Sequence, residues 1–469
     1  MAGIGFRLQK LLSAEDYSSS VKAYGFSTVI TAGPFLMTVL LVIFVQHISK
    51  GNLNGRGLAY LQSLITYCYA FSLISVGASY LVVTRYIADE FYREHVTSFS
   101  ATFFSAFTLN LLFWGPWVFW FFSGLSVDWV MKLSAFLLYA FAMGIWLAMI
   151  FLSAAHCYEK INVAFAAGTI VSLAASYILG RHYGLAGYFG GFVLGQGTVF
   201  LGLSSALVKE FGYWEARDHT WLRYFKLHPR LAAIGFFFNV GIWIDKFLFW
   251  LSPQGEWLDA RLRYSSIYDT PMFFAYLTIL PSMVYFFLQV ETNFFFKYHD
   301  YYQAIQDQEG LTVLERNRKD IVSSLRFSLT RLLVAQGLFS AFALLIAPWI
   351  VDWTGLLPLQ MSVFRVGIYS SFMQAGCLIL INLILYFDHQ QEALLVSGLF
   401  CLLNAVLTDA TLRLGLFAFG YGYGLACMAA LALGIYFLNE RLRLLHYWTF
   451  IRQPIPEPVI VFEDQESEI

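Results

Sequence analysis

The sequence predicts an all-α polytopic membrane protein, with twelve transmembrane helices in two six-helix bundles. Of its 469 residues, 59% are hydrophobic and only 13% are charged, and the mean hydropathy is +0.63. A soluble domain has too little interior to bury so much apolar surface, whereas a bilayer removes it from water directly. Twelve apolar stretches each approach the roughly 20 residues that a helix needs to cross the hydrocarbon core.

The stretches form two sets of six, separated by a charged connecting loop at residues 208–230. The first set predicts an N-terminal bundle at 24–207 and the second a C-terminal bundle at 231–437. Two-half transporters commonly carry such duplication, which here is inferred from hydropathy alone. The predicted spans are 24–45, 60–83, 101–122, 133–154, 163–179, 185–207, 231–251, 271–290, 329–351, 363–387, 393–407 and 416–437.

The basic residues predict the orientation. With a cytoplasmic N-terminus, most of the 29 Lys and Arg residues fall in cytoplasmic tails and loops, as the positive-inside rule requires. We therefore expect both termini to be cytoplasmic, and the apolar spans predict a protein of the inner-membrane type. Residues 1–23 would form a cytoplasmic or interfacial segment, residues 297–326 a helical cytoplasmic loop, and residues 438–469 an acidic cytoplasmic tail.

Several classes of chemistry have no signal in this chain. The motifs GxxxxGK[ST], HExxH and GxSxG are absent, and the nine histidines and five cysteines show no ligand spacing. A net charge of −1 gives no electrostatic footprint for nucleic acid. The loops are too short to hold a catalytic domain, so we expect a transporter rather than an enzyme, with no cofactor, metal or nucleic-acid partner.

Asp245 and Lys246 are the most informative charges, because they lie midway along the seventh predicted span. A charge inside a span costs at least a few kcal/mol unless it faces a cavity or a partner. Neighbours on a helix point about 100° apart, which disfavours a shared partner. The functional interpretation is the lining of an aqueous pathway, with Asp245 as a proton-coupling carboxylate, and the alternative is a structural ion pair.

Other polar residues in or beside the spans are further candidates for the pathway. Arg85 ends the second span with Asp89 one turn later, a spacing that favours an ion pair. Arg365 lies near the start of the tenth span and Asn382 within it, although asparagines in spans more often form interhelical hydrogen bonds.

The eighth span combines prolines with a carboxylate at each end. Asp269 lies just before Pro271, Pro281 lies inside the span, and Glu291 follows its end. Because Pro281 should kink the helix, we predict a moving element with Pro271 and Pro281 as hinges. A static kink between two interfacial carboxylates is the alternative.

Four segments carry a family resemblance: MAGIGFRLQKLL, AYGFSTVITAGPF, VVTRYIADEFY and YDTPMFFAYLTILPSMVYFFLQVETNFFFKY. They resemble the PelG family, inner-membrane transporters of Pel exopolysaccharide secretion, and the likeness covers residues 1–443. The resemblance implies the fold of the multidrug/oligosaccharidyl-lipid/polysaccharide flippase superfamily, with two six-helix bundles around a central cavity. It implies a polymer rich in N-acetylgalactosamine and galactosamine. The family supplies no catalytic motif to transfer, and the candidates inside the matching segments are Arg85, Asp89, Asp269, Pro271 and Glu291.

The resemblance also implies partners besides the membrane lipids. These are a cytoplasmic family-4-type glycosyltransferase that uses a UDP-sugar, a cyclic-di-GMP-binding membrane subunit, and a small tetratricopeptide-containing membrane subunit. Residues 208–230 and 297–326 would then be docking surfaces.

Three other functions remain open on sequence alone. The first is a lipid-linked oligosaccharide flippase or a cation-coupled multidrug exporter, in which Asp245 would be the coupling carboxylate. The second is a membrane-embedded glycosyltransferase or polymerase, for which Asp259 and Asp269 are the nearest approach to an acidic cluster on an outer loop. The third is a membrane scaffold subunit that does not transport.

Overall fold

The computed structural model describes residues 17–93, 95, 98–213, 219–289, 294–354 and 356–451, and most of these residues are helical. Short 3-10 turns at Thr220–Leu222, Leu277–Ile279 and Leu416–Ala418 link some of the helices. The helices are α1 (Tyr17–Ser49), α2 (Gly55–Tyr92), α3 (Phe99–Ser123), α4 (Trp129–Ala154), α5 (Tyr158–Phe211), α6 (Arg223–Leu227), α7 (Pro229–Leu251), α8 (Ser266–Tyr276), α9 (Leu280–Gln289), α10 (Phe295–Gln306), α11 (Leu311–Leu345), α12 (Ala347–Thr354), α13 (Pro358–Tyr386), α14 (Gln390–Leu414), α15 (Tyr421–Arg443) and α16 (Leu445–Phe450).

Ten helices of the described chain are long and apolar enough to cross a membrane. They are α1 to α5, α7, α11, α13, α14, and α15 with the 3-10 turn before it. The prediction of a helical multi-pass membrane protein is confirmed at this level. The all-α prediction needs one correction, because β1 (Glu256–Trp257) and β2 (Arg263–Tyr264) pair as an antiparallel hairpin between α7 and α8.

Helix α5 consists of two arms rather than one rod. Gly184 interrupts it with φ +57°, a conformation that a β-carbon disfavours. The second arm folds back on the first, since Ser176 Oγ donates to the carbonyl of Tyr188 at 3.1 Å. A β-carbon on Gly191 would collide with the backbone of Ser176. The predicted stretches 163–179 and 185–207 correspond to these arms.

Helices α8 and α9 form one broken helix. Pro281 has no N–H to give to the carbonyl of Leu277, which instead accepts from Leu280 in a 3-10 turn. Gln336 of α11 donates to the carbonyl of Thr278 at 2.6 Å, which satisfies a backbone acceptor beside the break.

Helices α1 to α5 and helices α7 to α15 show the same pattern of contacts, and we call these two sets the first half and the second half. In the first half, α1 packs on α5, α2 on α4, α3 on α4, and α4 on α5. In the second half, α7 packs on α14, α8 on α13, α11 on α13, and α13 on α15. The two arms of α5 match the pair α14 and α15. The two halves therefore repeat one arrangement of helices, although their amino-acid sequences show no clear repeat.

The connecting loop and the helical loop also contain ordered structure. The loop predicted at 208–230 includes the short helix α6, although residues 214–218 lie outside the described chain. The loop predicted at 297–326 is helical, as expected, and comprises α10 and the start of α11. Its Glu315 contacts Arg318 at 2.7 Å and His446 of α16 at 3.0 Å, so the helical loop and the C-terminal helix form one cluster.

Candidate functional site

The two halves meet where α1 packs on α9 and, more extensively, where α2 packs on α7, and we call the second of these contacts the seam. Near its middle the backbones are so close that a β-carbon on Gly77 would lie 2.8 Å from the carbonyl oxygen of Gly235. Asn239 Nδ2 donates to the same carbonyl at 2.8 Å. Glycine at both positions lets the helices approach at backbone distance, so the seam is tightest at this point.

The β-hairpin between α7 and α8 closes one end of the seam. Its Asp259 accepts hydrogen bonds from Tyr60 Oη at 2.8 Å and from the N–H of Ser126 at 2.8 Å, both in the first half. Tyr67 Oη donates to the carbonyl of Arg263 at 3.0 Å. A loop of the second half is thereby held on the first half by several polar contacts.

The electrostatics of Asp259 strengthen this closure. Partial burial opposes ionisation of the carboxyl, but hydrogen bonds from Ser126, Tyr60 and Ala260 outweigh it and lower its pKa below 3.8. Beside it, the Arg261 guanidinium lies 4.1 Å from the ring centre of Trp120 and donates to the carbonyl of that residue. Charge and stacking therefore both fix the hairpin.

The other end of the seam is held more weakly. Arg85 Nε lies 3.2 Å from Asp89, as the sequence spacing predicts, and Arg85 Nη1 lies 3.7 Å from Asp388 of the second half. All three side chains are at least 30% exposed, and exposed ion pairs contribute about 0–1 kcal/mol. These ion pairs therefore add little to the stability of this end.

Asp245 and Lys246 lie in the core of the second half and pair with each other. Asp245 is fully buried and Lys246 is 7% exposed. Lys246 Nζ lies 3.2 Å from both carboxylate oxygens and donates to Tyr276 Oη at 2.9 Å, while Tyr268 Oη donates to Asp245 at 2.7 Å. As the helical spacing predicts, the two residues have different tyrosine partners, and the long lysine side chain also curls back one residue to pair with Asp245.

The aromatic surroundings complete the site of the Lys246 ammonium. Its nitrogen lies 4.7 Å from the ring centre of Tyr276 and 5.5 Å from that of Tyr423, distances at which a cation is attracted to the ring. Nζ also donates to the carbonyl of Ile242 at 2.9 Å. Every donor of the ammonium therefore has an acceptor.

Asp269 anchors the start of α8. It accepts hydrogen bonds from Trp250 Nε1 at 2.8 Å and from the N–H of Ser265 at 2.9 Å. Asp259 and Asp269 bind different donors, so the structure does not combine them into the acidic pair that a polymerase would need.

The remaining candidates are dispersed. Pro271 lies inside α8, and Pro281 follows the 3-10 turn, so the broken helix exists at the predicted place while its movement stays a prediction. Arg365 and Asn382 are both exposed on α13. Glu291 lies outside the described residues.

Sequence reasoning missed the hairpin and the tyrosines around Lys246. Tyr60 and Asp259 are 199 residues apart, and no local pattern links them. Tyr268 and Tyr276 had a usable signal, because their spacing of eight residues places both on one helical face.

The comparisons decide the family. Residues 1–450 match PelG, described as "Putative exopolysaccharide Exporter (EPS-E)". The chain belongs to the PelG family. No curated protein matches the sequence.

The fold of this PelG-family chain is similar to that of MATE transporters. An outward-facing MATE family multidrug resistance transporter of the MOP superfamily matches with TM-score 0.61 and 12% identity, over 94% of this chain and 98% of that one. The inward-facing conformation of such a transporter matches with TM-score 0.60 and 11% identity, over 87% of this chain and 95% of that one. A MOP superfamily transporter from Pyrococcus furiosus matches with TM-score 0.62 and 11% identity, over 94% of this chain and 98% of that one. Family and fold are thus those of transporters rather than enzymes.

Proposed function

We propose that this protein exports an exopolysaccharide across the bacterial inner membrane by moving its two halves about the α2–α7 seam. The seam is the observation that carries the proposal. It joins halves with matching helix contacts, and polar side chains close its two ends. Membership of the PelG family supplies the substrate class.

The proposed topology has twelve crossings with both termini in the cytoplasm. Each arm of α5 crosses once, and α8 with α9 crosses once as a broken helix. The matching contacts of the two halves support this count, since each half then has six crossings. The hairpin would lie on the periplasmic face.

The proposed substrate is a Pel-like polymer rich in N-acetylgalactosamine and galactosamine. A cytoplasmic family-4-type glycosyltransferase would deliver it from a UDP-sugar, within a complex that includes a cyclic-di-GMP-binding subunit and a small tetratricopeptide subunit. On this proposal the partners would bind at the helical loop, where Glu315 contacts Arg318 and His446.

Affinity purification from the native host, followed by mass spectrometry, tests the complex. We expect a glycosyltransferase and a cyclic-di-GMP-binding membrane protein to be recovered with the chain. Secreted polymer should disappear when the chain is deleted and return on complementation. Recovery of the chain alone, with normal secretion in the deletion strain, would contradict the proposal.

A cation-coupled flippase or drug exporter is the second candidate, because the similar folds include multidrug transporters. In that case Asp245 would have to gain and release a cation. Protonation of Asp245 would leave Lys246 charged and unpaired in the core, at a cost of several kcal/mol. The double variant Asp245→Asn/Lys246→Met separates the two candidates: retained polymer secretion favours a conduit pushed by a synthase, and complete loss with normal folding favours coupling.

A further inference from the structure

The beginning of α11 carries an unusually basic surface. Between residues 311 and 331 this helix has five cations, Arg316, Arg318, Lys319, Arg326 and Arg331, against two anions, Glu315 and Asp320. Glu315 contacts both Arg318 and Lys319. Arg326 has no ion-pair partner within the described part of the chain. The surface therefore keeps positive charge that the protein does not neutralise.

A shallow depression that is open to the outside follows this one face of α11, and we call it the groove. Arg318, Lys319 and Arg326 line it together with the hydroxyl groups of Ser323 and Thr330 and the ring of Phe327. Guanidinium, ammonium and hydroxyl groups are the donors that a phosphate group prefers, and the ring adds an apolar wall.

The position of the groove along α11 matches the border of a membrane. The same helical face continues through Val334 and Leu338 to Leu345, which are 56%, 68% and 78% exposed, as expected for side chains that contact lipid. Arg326 and Leu345 are separated by about 28 Å along the helix axis, close to the roughly 30 Å of the hydrocarbon core. Arg326 is thus level with the headgroups of one leaflet.

Arg331 gives independent support for this depth. It lies one turn further into the apolar part, and its guanidinium is 3.9 Å from the ring centre of Phe327. The side chain therefore points back toward the groove. Long basic side chains adopt this direction near a membrane interface, where the head reaches the polar layer and the stem stays in lipid.

We propose that this groove binds the phosphate headgroup of an anionic phospholipid, with the acyl chains along the exposed face of α11. Charge complementarity, the hydroxyl donors and the depth of Arg326 carry the assignment. It does not depend on which substrate the protein exports.

The test uses the purified full-length protein in detergent, titrated with phosphatidylglycerol or phosphatidylcholine in mixed micelles. Thermal stability gives an apparent affinity, and native mass spectrometry counts retained lipids. We expect phosphatidylglycerol to raise the melting temperature more than phosphatidylcholine. In the double variant Lys319→Gln/Arg326→Gln the apparent affinity for phosphatidylglycerol should fall roughly 20- to 30-fold, because each lost cation weakens binding by about fivefold.

Arg316→Gln is the matched control, since it removes one charge from the same helix at a residue that does not line the groove. If the double variant cannot be purified, Arg326→Gln and the charge-conserving Arg326→Lys give the same comparison. Equal effects of both lipids, an unchanged affinity in the variant, or the same shift with inorganic phosphate alone would overturn the proposal. Loss of a co-purifying protein with unchanged lipid binding would assign the groove to a protein partner instead.

Discussion

The ammonium of Lys246 occupies the space beside Asp245 that a free cation would need. A carboxylate at 0% exposure is stable as an anion only with a partner, and this partner is covalently attached to the next residue. The second half thus carries its counterion permanently. Buried polar contacts in the first half include neutral ones, for example Ser75 with Tyr139 and Ser79 with Asn110.

Removal of one member of this pair should be more harmful than removal of both. Asp245→Asn and Lys246→Met should each lower the free energy of unfolding by about 3–5 kcal/mol, because each leaves a buried group without its partner. Asp245→Asn/Lys246→Met should recover much of that loss. Thermal unfolding in detergent measures the cycle, and a strictly additive double variant would refute the prediction.

A single β-carbon at the seam should block its closure. In Gly235→Ala the new carbon would overlap the carbonyl oxygen of Gly77, and backbone cannot move aside as a side chain can. We expect normal expression but strongly reduced polymer secretion. Gly337→Ala on α11 is the control, since nothing lies within 4 Å of its added carbon, and equal secretion by the two variants would count against a closing seam.

Among the elements, the hairpin between α7 and α8 has the most specific role, because its Asp259 carboxylate makes two of the contacts that hold it on the first half. In Asp259→Ala the N–H of Ser126 loses its charged acceptor, which contributes about 1.5–3 kcal/mol. Amide hydrogen exchange at Ser126 should become at least about tenfold faster. Acid should act in the same direction, because folding lowers the pKa of the Asp259 carboxyl below its unfolded value of 3.8. Its contribution to the stability of the folded protein is therefore complete above pH 3.8 and is lost as the pH falls through the folded pKa.

Glu256→Ala provides the matched control for the hairpin. Glu256 accepts hydrogen bonds from Tyr264 and Ser266, both within or next to the hairpin. Its removal should loosen the hairpin without faster exchange at Ser126. Similar exchange in both variants would mean that Asp259 does not connect the halves.

The long helices could be predicted from the sequence, and the seam could not. Each span in lipid must be apolar and must satisfy its own backbone hydrogen bonds, so a local average of hydropathy is enough to identify it. The hairpin depends on distant contacts, such as that between Tyr67 and Arg263, whose chemistry gives no local pattern. Trp250 illustrates the limit: it lies at the end of the predicted span 231–251, and nothing near it in the sequence shows that its ring is 2% exposed and stacks on Tyr67 at 4.2 Å.

For the whole molecule, the proposed topology makes a prediction that needs no substrate. A reporter active only in the periplasm should be silent after residue 451 and active when inserted at Gln254, in the loop before β1. The two positions differ because an odd number of crossings separates them. Activity at both positions, or at neither, would require a different count of crossings.

The turn at Gly184 has a consequence for how the protein enters the membrane during synthesis. Its two arms are joined directly at Gly184, without a loop between them. On the proposed topology the pair inserts as a unit, and Arg181 near its tip must be carried through the bilayer. The guanidinium lies 4.0 Å from the ring centre of Tyr177, a contact that shields part of the charge during that passage.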